Sequence, residues 1–516
     1  MDQLTNFLAD RAPIFASVAV LLGAAFLFST FTFQAKGTDK IPLVGKEFGN
    51  AEQRRKAFIA NAHGFYAKGY EMYKNVTWRL TGTDEERIVL PRHLLDEARR
   101  FSDDHINITK AFDKNNEKRY TGLGAAQSHT DFLIHLIRSD LTRGLNRINT
   151  RLTVETARTV VEELGPCEDW TSEIVYQKLL RIVAIISGNI FIGPELCRRD
   201  EWTISAITYT VDLFTAIGKL KQWKPWTRPI GQYFIPELKS VREHRRKARA
   251  FLKPVIAERR KLMKEGKDLP DDMLQWMMNK TAEFGISDDD LSLIQLNLSL
   301  AAIHTTTLTT TLALYDLVVR PDLLQELRNE VKTVLAANDG VLSTHALFDM
   351  KLLDSVMKES QRTNPGNLVR FVRYVDKPVT LSDGTHLPVG AMIEAPHANI
   401  VQDPQLYSNP ETFDAHRFMD LRNGTVEDPM EYRSKEQYQF VTVTKDFMAF
   451  GYGRHACPGR FFAANEIKLI LARILLDYDI KMPDGITERY PNLNMGLDAL
   501  PDPTKAILFK KFKTSA

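Results

Sequence analysis

The stretch that most restricts how this chain folds is Phe450-Gly451-Tyr452-Gly453-Arg454-His455-Ala456-Cys457-Pro458-Gly459-Arg460. A cysteine stands in a glycine-punctuated turn, and a helical pattern, Arg460 to Tyr478, begins directly after it. Glycines at 451, 453 and 459 permit positive φ and a close backbone approach to a flat object, while Pro458 suits the first turn of the following helix. Cys457 is thereby set at a helix N-terminus. Unpaired amides and the helix dipole favour an anion there, so a thiolate is expected.

A thiolate over a glycine-walled cradle is what a haem iron needs as its proximal ligand, where it favours O–O cleavage. The stretch resembles the haem-binding loop of the cytochrome P-450 family, Phe-x-x-Gly-x-Arg-x-Cys-x-Gly, with His455 in place of the family's usual arginine. About ten matched positions weigh against the commoner reading of a lone cysteine as a small buried side chain. The resemblance implies haem b with Cys457 as the axial thiolate on iron. It also implies that Phe450, Gly451, Gly453 and Gly459 form the cradle and that His455 donates to a haem propionate. The implied fold is mostly α with small β-sheets (α+β), a single haem domain over 50–516 behind an N-terminal transmembrane helix. Within the family, the likeness is to microsomal fungal terpenoid and steroid hydroxylases.

Composition agrees. A length of 516 residues would by itself suggest several domains, a soft prior that the resemblance overrides. Hydrophobic residues make up 44% of the chain, enough for a sizeable core, and 68 basic against 65 acidic residues leave a formal charge of only +3. That balance argues against nucleic acid as the main partner. Three cysteines, at 167, 197 and 457, show no C-x-x-C spacing, which excludes a disulfide scaffold.

Ala12 to Phe33 is an uncharged run of 22 residues, long enough to span a bilayer as a helix and too long for a signal-peptide core. Residues 1–35 therefore read as a membrane anchor, and 36–49, with its charges, Pro42 and glycines, as a linker. Lysines at 36, 40 and 46 follow the run, so the catalytic part is expected on the cytosolic face of the endoplasmic reticulum. The aromatic, basic segment Lys221 to Pro229, with Trp223 and Trp226, is a second candidate for contact with lipid.

Ile286 to Val319 is the longest helical pattern, and Ala301-Ala302-Ile303-His304-Thr305-Thr306 lies in its middle. It resembles the family's oxygen-binding motif, Ala/Gly-Gly-x-Asp/Glu-Thr-Thr, which implies catalytic roles for Thr305 and Thr306. His304 stands where the acid is usual. A histidine titrating near neutrality relays protons, and that role is preferred here to a bond across to a neighbouring helix.

Lys351 to Thr363 is also helical, with Glu359 and Arg362 one turn apart, and Phe413-Asp414-Ala415-His416-Arg417-Phe418 follows some fifty residues on. By resemblance, Glu359, Arg362 and Arg417 form a buried charge cluster. Strand alternation puts Arg370 and Arg373 on opposite faces, and Arg373 is taken as a propionate donor. Resemblance adds His135 and Arg138 to that set. It places Gly122 and Leu123 in a polar loop, 112–129, that covers the substrate pocket. Leu298, Ala301 and Ala302 line the pocket from the long helix, and Leu368, Val369 and Leu497 from the later segments.

These readings converge on a membrane-anchored haem-thiolate monooxygenase acting on O₂ and a lipophilic polycyclic substrate. No flavin or dinucleotide motif occurs in the chain, so electrons are expected from NADPH-cytochrome P-450 reductase, with cytochrome b5 as an auxiliary donor. Docking is expected near Cys457, beside Arg454, Arg460 and Lys468. A rearrangement without oxygenation, or a non-catalytic haem-binding membrane protein, are the alternatives.

Overall fold

Long runs of helical periodicity fold as helices and short β-branched runs as strands of four small sheets in the computed structural model, which describes residues 11–13, 16–18, 20–21, 23, 37–123 and 127–512. The anchor expected at 12–33 lies mostly outside the described residues, and among those no helix is long and apolar enough to cross a membrane. Two compact units form. The smaller comprises Met1–Lys114, Ile217–Ile235 and Val372–Ala395, and the larger Asn115–Ala216, Pro236–Phe371 and Pro396–Ala516.

The smaller unit is built on a five-stranded sheet of β1 (Trp78–Thr81), β2 (Glu86–Val89), β3 (Ile106–Asn107), β4 (Arg370–Val375) and β5 (Met392–Ala395), in the order β1-β2-β5-β4-β3. The turn residues Thr81 to Asp84 predict a hairpin here. β1 and β2 form it, antiparallel with Trp78 opposite Val89, and β2 then runs parallel to β5. Buried Glu394 on β5 accepts from Arg87 at 2.7 Å and from the Tyr66 hydroxyl, so this carboxylate has partners where it has no water.

The larger unit is helical: α1 (Gln127–Leu136), α2 (Leu145–Leu164), α3 (Val175–Phe191), α4 (Asp200–Gln222, whose last turns pass into the smaller unit), α5 (Pro236–Glu265), α6 (Met273–Phe284), α7 (Asp288–Leu317), α8 (Lys351–Thr363), α9 (Arg417–Asn423) and α10 (Arg460–Asp477). Two sequence expectations are corrected. The helical pattern over residues 171–262 predicts a break at Gly188, and none occurs there. That glycine lies inside α3, where a Cβ would come within 2.8 Å of the Cys197 Cβ, so glycine serves close packing there. Nor is 112–129 a continuous loop, since helices run over Ile108–Asn115 and Lys118–Thr121 and α1 starts at Gln127.

α7 begins where Ser287 and Asp290 make a capping box. It packs against α3, α5, α8 and α10 and is the axis of the unit. Across from it, α8 carries the predicted charge cluster. Arg362 donates to both oxygens of Glu359 at 2.8 Å, and Arg417 donates to both at 3.1 Å. The Asp414 N–H adds a further bond to Glu359 at 3.0 Å. Remaining guanidinium hydrogens of Arg362 go to the carbonyls of Val401, Pro410 and Thr412. Glu359 and Arg362 are both 0% exposed. Removing one member leaves a buried charge uncompensated, so Arg362→Leu should cost roughly 3–5 kcal/mol in urea unfolding, and Arg362→Lys, lacking the fork, should recover little of it. A loss below about 1 kcal/mol would show the cluster to be dispensable.

Candidate active site

Cys457 is held by its own loop. Its N–H donates to the Phe450 carbonyl at 2.8 Å, and the Ala456 N–H to the Gly453 carbonyl at 3.1 Å. Gly451 and Gly453 take φ of 81° and 77°, as the turn requires. Gly459 does not share that conformation. It caps α10 at φ −87°, and a Cβ there would meet nothing within 4 Å. The Phe450 ring stands edge-on to Phe440, 5.2 Å away, which fixes the start of the loop.

Burial pushes the Cys457 thiol up, while the Gly459 N–H, the charges of Arg460 and Arg370 and the Arg460 N–H pull it down. The net direction is upward, so the helix N-terminus alone does not make the expected thiolate. Coordination to a metal does, because a coordinating thiol is deprotonated outright.

On α7, Leu298, Ile303, Thr306 and Thr307 are buried, yet Ala301 and Thr305, one turn apart in mid-helix, are exposed. Because α7 is packed by four helices, this stripe opens on an interior space. The Thr305 hydroxyl donates to the Ala301 carbonyl at 2.7 Å, and Thr309, Thr310 and Thr311 likewise bond four residues back. His304 is found in the second of its two arrangements. Its Nε2 donates to the Ile207 carbonyl of α4 at 2.9 Å, and burial lowers its pKa, so the ring is neutral and that atom is not available to pass a proton.

The other predicted positions fall as follows. The Leu368 N–H donates to Leu497 O at 2.8 Å and the Ala499 N–H to Gly366 O at 3.1 Å. A Cβ on Gly366 would sit 3.5 Å from Leu308 of α7, so the segment holding Leu368 and Val369 runs beside α7. Leu298, Leu368 and Val369 are buried, Leu497 and Ala302 half-buried. Leu123 is buried. Gly122, with φ 63°, is clamped through its carbonyl by Arg245 of α5.

Arg138 donates to the Arg454 carbonyl at 3.1 Å and so reaches the cysteine loop, whereas His135, one turn earlier, faces Phe284 and Lys280. His455 accepts at Nε2 from Arg454 at 3.1 Å. Arg373 lies buried on β4 in the smaller unit. Phe371 has φ 55° within β4, yet half-buried and buried positions alternate along the strand, with Arg370 half-buried and Arg373 buried. Lys468 is buried on Asp354 and the Leu347 carbonyl and offers nothing to a docking partner.

Two groups escaped sequence reading. Glu466 is an acid of α10, 0% exposed, accepting from Ser187 at 2.7 Å. Burial raises its pKa to about 8, against the pull of the Ser187 and Thr306 hydroxyls. Its place on one helical face with Phe462 and Ile470 was the available signal. The His397 Nδ1 is buried with no hydrogen-bond partner among the described residues, and nothing in the sequence marks it. The Nε of Arg370, which the sequence offers beside Arg373 as a propionate donor, is likewise buried without a partner among the described residues.

A glycine-cradled sulfur at a helix N-terminus and an open stripe on the central helix suit a flat iron-bearing group, which is a haem. Fold and site together define a haem-thiolate protein. The family model described as Cytochrome P450 matches residues 125–508, and the chain belongs to that family. Cytochrome P450 monooxygenase braC of Annulohypoxylon truncatum is 36% identical over 92% of this chain and 93% of its own. Cytochrome P450 monooxygenase adrA of Penicillium rubens is 32% identical over 99% and 98%. The fold is shared with the retinoic acid-bound cyanobacterial CYP120A1, at a TM-score of 0.66 and 18% identity, over 92% of this chain and 99% of that one. The chain is a fungal-type cytochrome P450 monooxygenase, a haem-thiolate iron enzyme that uses O₂, a substrate and electrons from a redox partner.

Glu466 yields a pH prediction. Its folded pKa lies above the ordinary 4.5, so its favourable contribution is fully present below about 4.5 and is lost as pH rises through about 8. Glu466→Gln should flatten the decline of the urea midpoint across that window. An unchanged decline would place the titration elsewhere.

Proposed function

We propose that this monooxygenase hydroxylates a lipophilic polycyclic molecule of fungal secondary metabolism, of terpenoid, diterpenoid or steroid-like class. The observation that carries the reading is the exposed Ala301–Thr305 stripe on a buried helix, beside the apolar segment with Leu368 and Val369. Small and apolar walls bind by area and exclude water without demanding polar groups of the ligand.

Haem iron on a cysteine thiolate supplies reductive activation of O₂, one atom entering the substrate and the other leaving as water. The chain's residues serve that chemistry by position. Thr305 spends its own proton on the Ala301 carbonyl, so toward the open space it presents lone pairs that orient a proton donor. Thr306, buried on the next position of α7, lies beside Glu466, a carboxylic acid that stays protonated at neutral pH. Leu298, with Leu368 and Val369, keeps bulk water from the reacting carbon.

Residues 1–35 anchor the protein in the endoplasmic reticulum membrane with residues 50–516 in the cytosol. NADPH-cytochrome P450 reductase, assisted by cytochrome b5, delivers electrons at the face near Cys457. A hollow of about 260 Å³ there is lined by Arg138, Arg454 and Arg460, which suits an acidic partner.

The test is O₂ uptake by membrane-bound full-length protein with reductase and NADPH, screened against terpenoids and steroids. Product per NADPH in Thr305→Ala should fall about tenfold or more as electrons drain to peroxide. Unchanged coupling would remove Thr305 from oxygen activation, and the absence of turnover on any polycycle would overturn the substrate class.

A further inference from the structure

Arg370 opens β4 from the larger unit, and the Nε of its guanidinium has no hydrogen-bond partner among the described residues. Its Nε is sealed from solvent while the residue as a whole is half-buried. A buried guanidinium is costly to leave unpaired, so natural sites fill the vacancy with an acid.

The backbone is bent to put it there. Phe371, next in the chain, holds φ 55°, a conformation that strains a bulky aromatic, and its ring is braced 6.4 Å from Tyr452 of the cysteine loop. His397 is 1% exposed, and its Nδ1 also lacks a partner. Burial, aided by the charge of Arg370, takes its pKa down to about 3, so it is a neutral ring able to donate.

The surroundings define what fits. Phe371 beside it meets Tyr452 of the cysteine loop, Asn367 three residues before it bridges to Asp498, and the Ala398 N–H next to His397 donates to the Leu368 carbonyl at 3.0 Å, so Arg370 stands near the cysteine loop, the strand Asp498–Pro501 and His397. Asp498 accepts from the Asn367 amide. Leu368 and Val369, which precede Arg370, are apolar and buried. A cation at the end of an apolar wall matches an amphipathic ligand with an acid on a hydrocarbon body.

We infer that Arg370 and His397 form a carboxylate receptor in the haem cavity, and that the carboxylate it takes is one carried by the substrate. A haem propionate has the same chemistry and is the competing source. Resemblance already supplies the propionates with His455, Arg138 and Arg373, which leaves Arg370 as an additional cation. The inference narrows the proposed substrate class to acids and rests on the reading that the cavity accepts lipophilic molecules.

The experiment uses the haem-loaded full chain and ω-(imidazol-1-yl)alkanoic acids of graded chain length, with their methyl esters. Imidazole ligates the haem iron, and the Soret shift reports binding. Wild type should prefer the acid over its ester by roughly ten- to a hundredfold at the chain length that reaches Arg370, the worth of one charge-assisted bond. Arg370→Gln should erase the preference and Arg370→Lys keep part of it, with ester binding unchanged in all three. Transfer of haem to apomyoglobin tests the other source. Faster haem loss in Arg370→Gln with no change in acid preference assigns the receptor to a propionate and overturns the substrate assignment. No change in either readout, in Gln and Lys variants that melt like wild type, overturns the receptor altogether. Failure of the esters to bind wild type would count against the lipophilic cavity, separately from Arg370.

Discussion

Glu359 is one carboxylate shared by two arginines with no water to help, and much of the larger unit depends on it. Its charge is acceptable only because Arg362 is forked onto it and the Arg417 Nε–H is shared between its two oxygens, and both arginines in turn take up carbonyls from Val401 to Thr412. That segment has little regular structure of its own, so these side-chain bonds replace the ladder that a helix or strand would supply. α8, α9 and the irregular chain between them are thereby fixed as one piece. Lys358, next to Glu359, is likewise buried, its ammonium on the Gln439 carbonyl and 4.5 Å from the Phe447 ring. Phe447 lies three residues before Phe450, where the cysteine loop begins. The position of the sulfur is thus inherited from charges buried behind it.

α7 solves a different problem. Thr305, Thr309, Thr310 and Thr311 return their hydroxyl protons to the backbone four residues earlier, which lets much of a polar run sit in an apolar interior. His304 obeys the same economy by bonding to Ile207. Glu466 Oε2, Arg370 Nε and His397 Nδ1 are among the buried polar atoms that the described residues leave without a hydrogen bond. They are where function is to be sought, because burial without a partner is unfavourable unless a ligand, water or proton completes it.

Much of this was legible in the residues. The cysteine loop and the Glu359–Arg362–Arg417 cluster are marked by resemblance to family motifs, and the extent of α7 follows from helical periodicity over thirty residues. What was not legible depends on which way a side chain turns once its element is packed. His304 looked the same in sequence whether it relayed protons or bonded to α4. The left-handed conformation of Phe371 between Arg370 and Arg373 is likewise something that strand alternation does not foresee. Lys468 read as surface charge because a salt bridge to Asp354, 114 residues away in the chain, is invisible locally. Gly188 read as a break because a glycine kept for packing and one kept for a turn are the same letter.

The account stands or falls on the bond between Cys457 and iron. The most direct measurement is the difference spectrum of the reduced, carbon monoxide-bound protein, recorded for wild type and Cys457→Ser. A Soret band at the position typical of thiolate-ligated haem, present in wild type and lost in the variant, is the result predicted. Wild-type protein that is folded and haem-loaded yet lacks that band, or a variant that keeps it, would contradict the proximal ligand and the oxygen chemistry built on it.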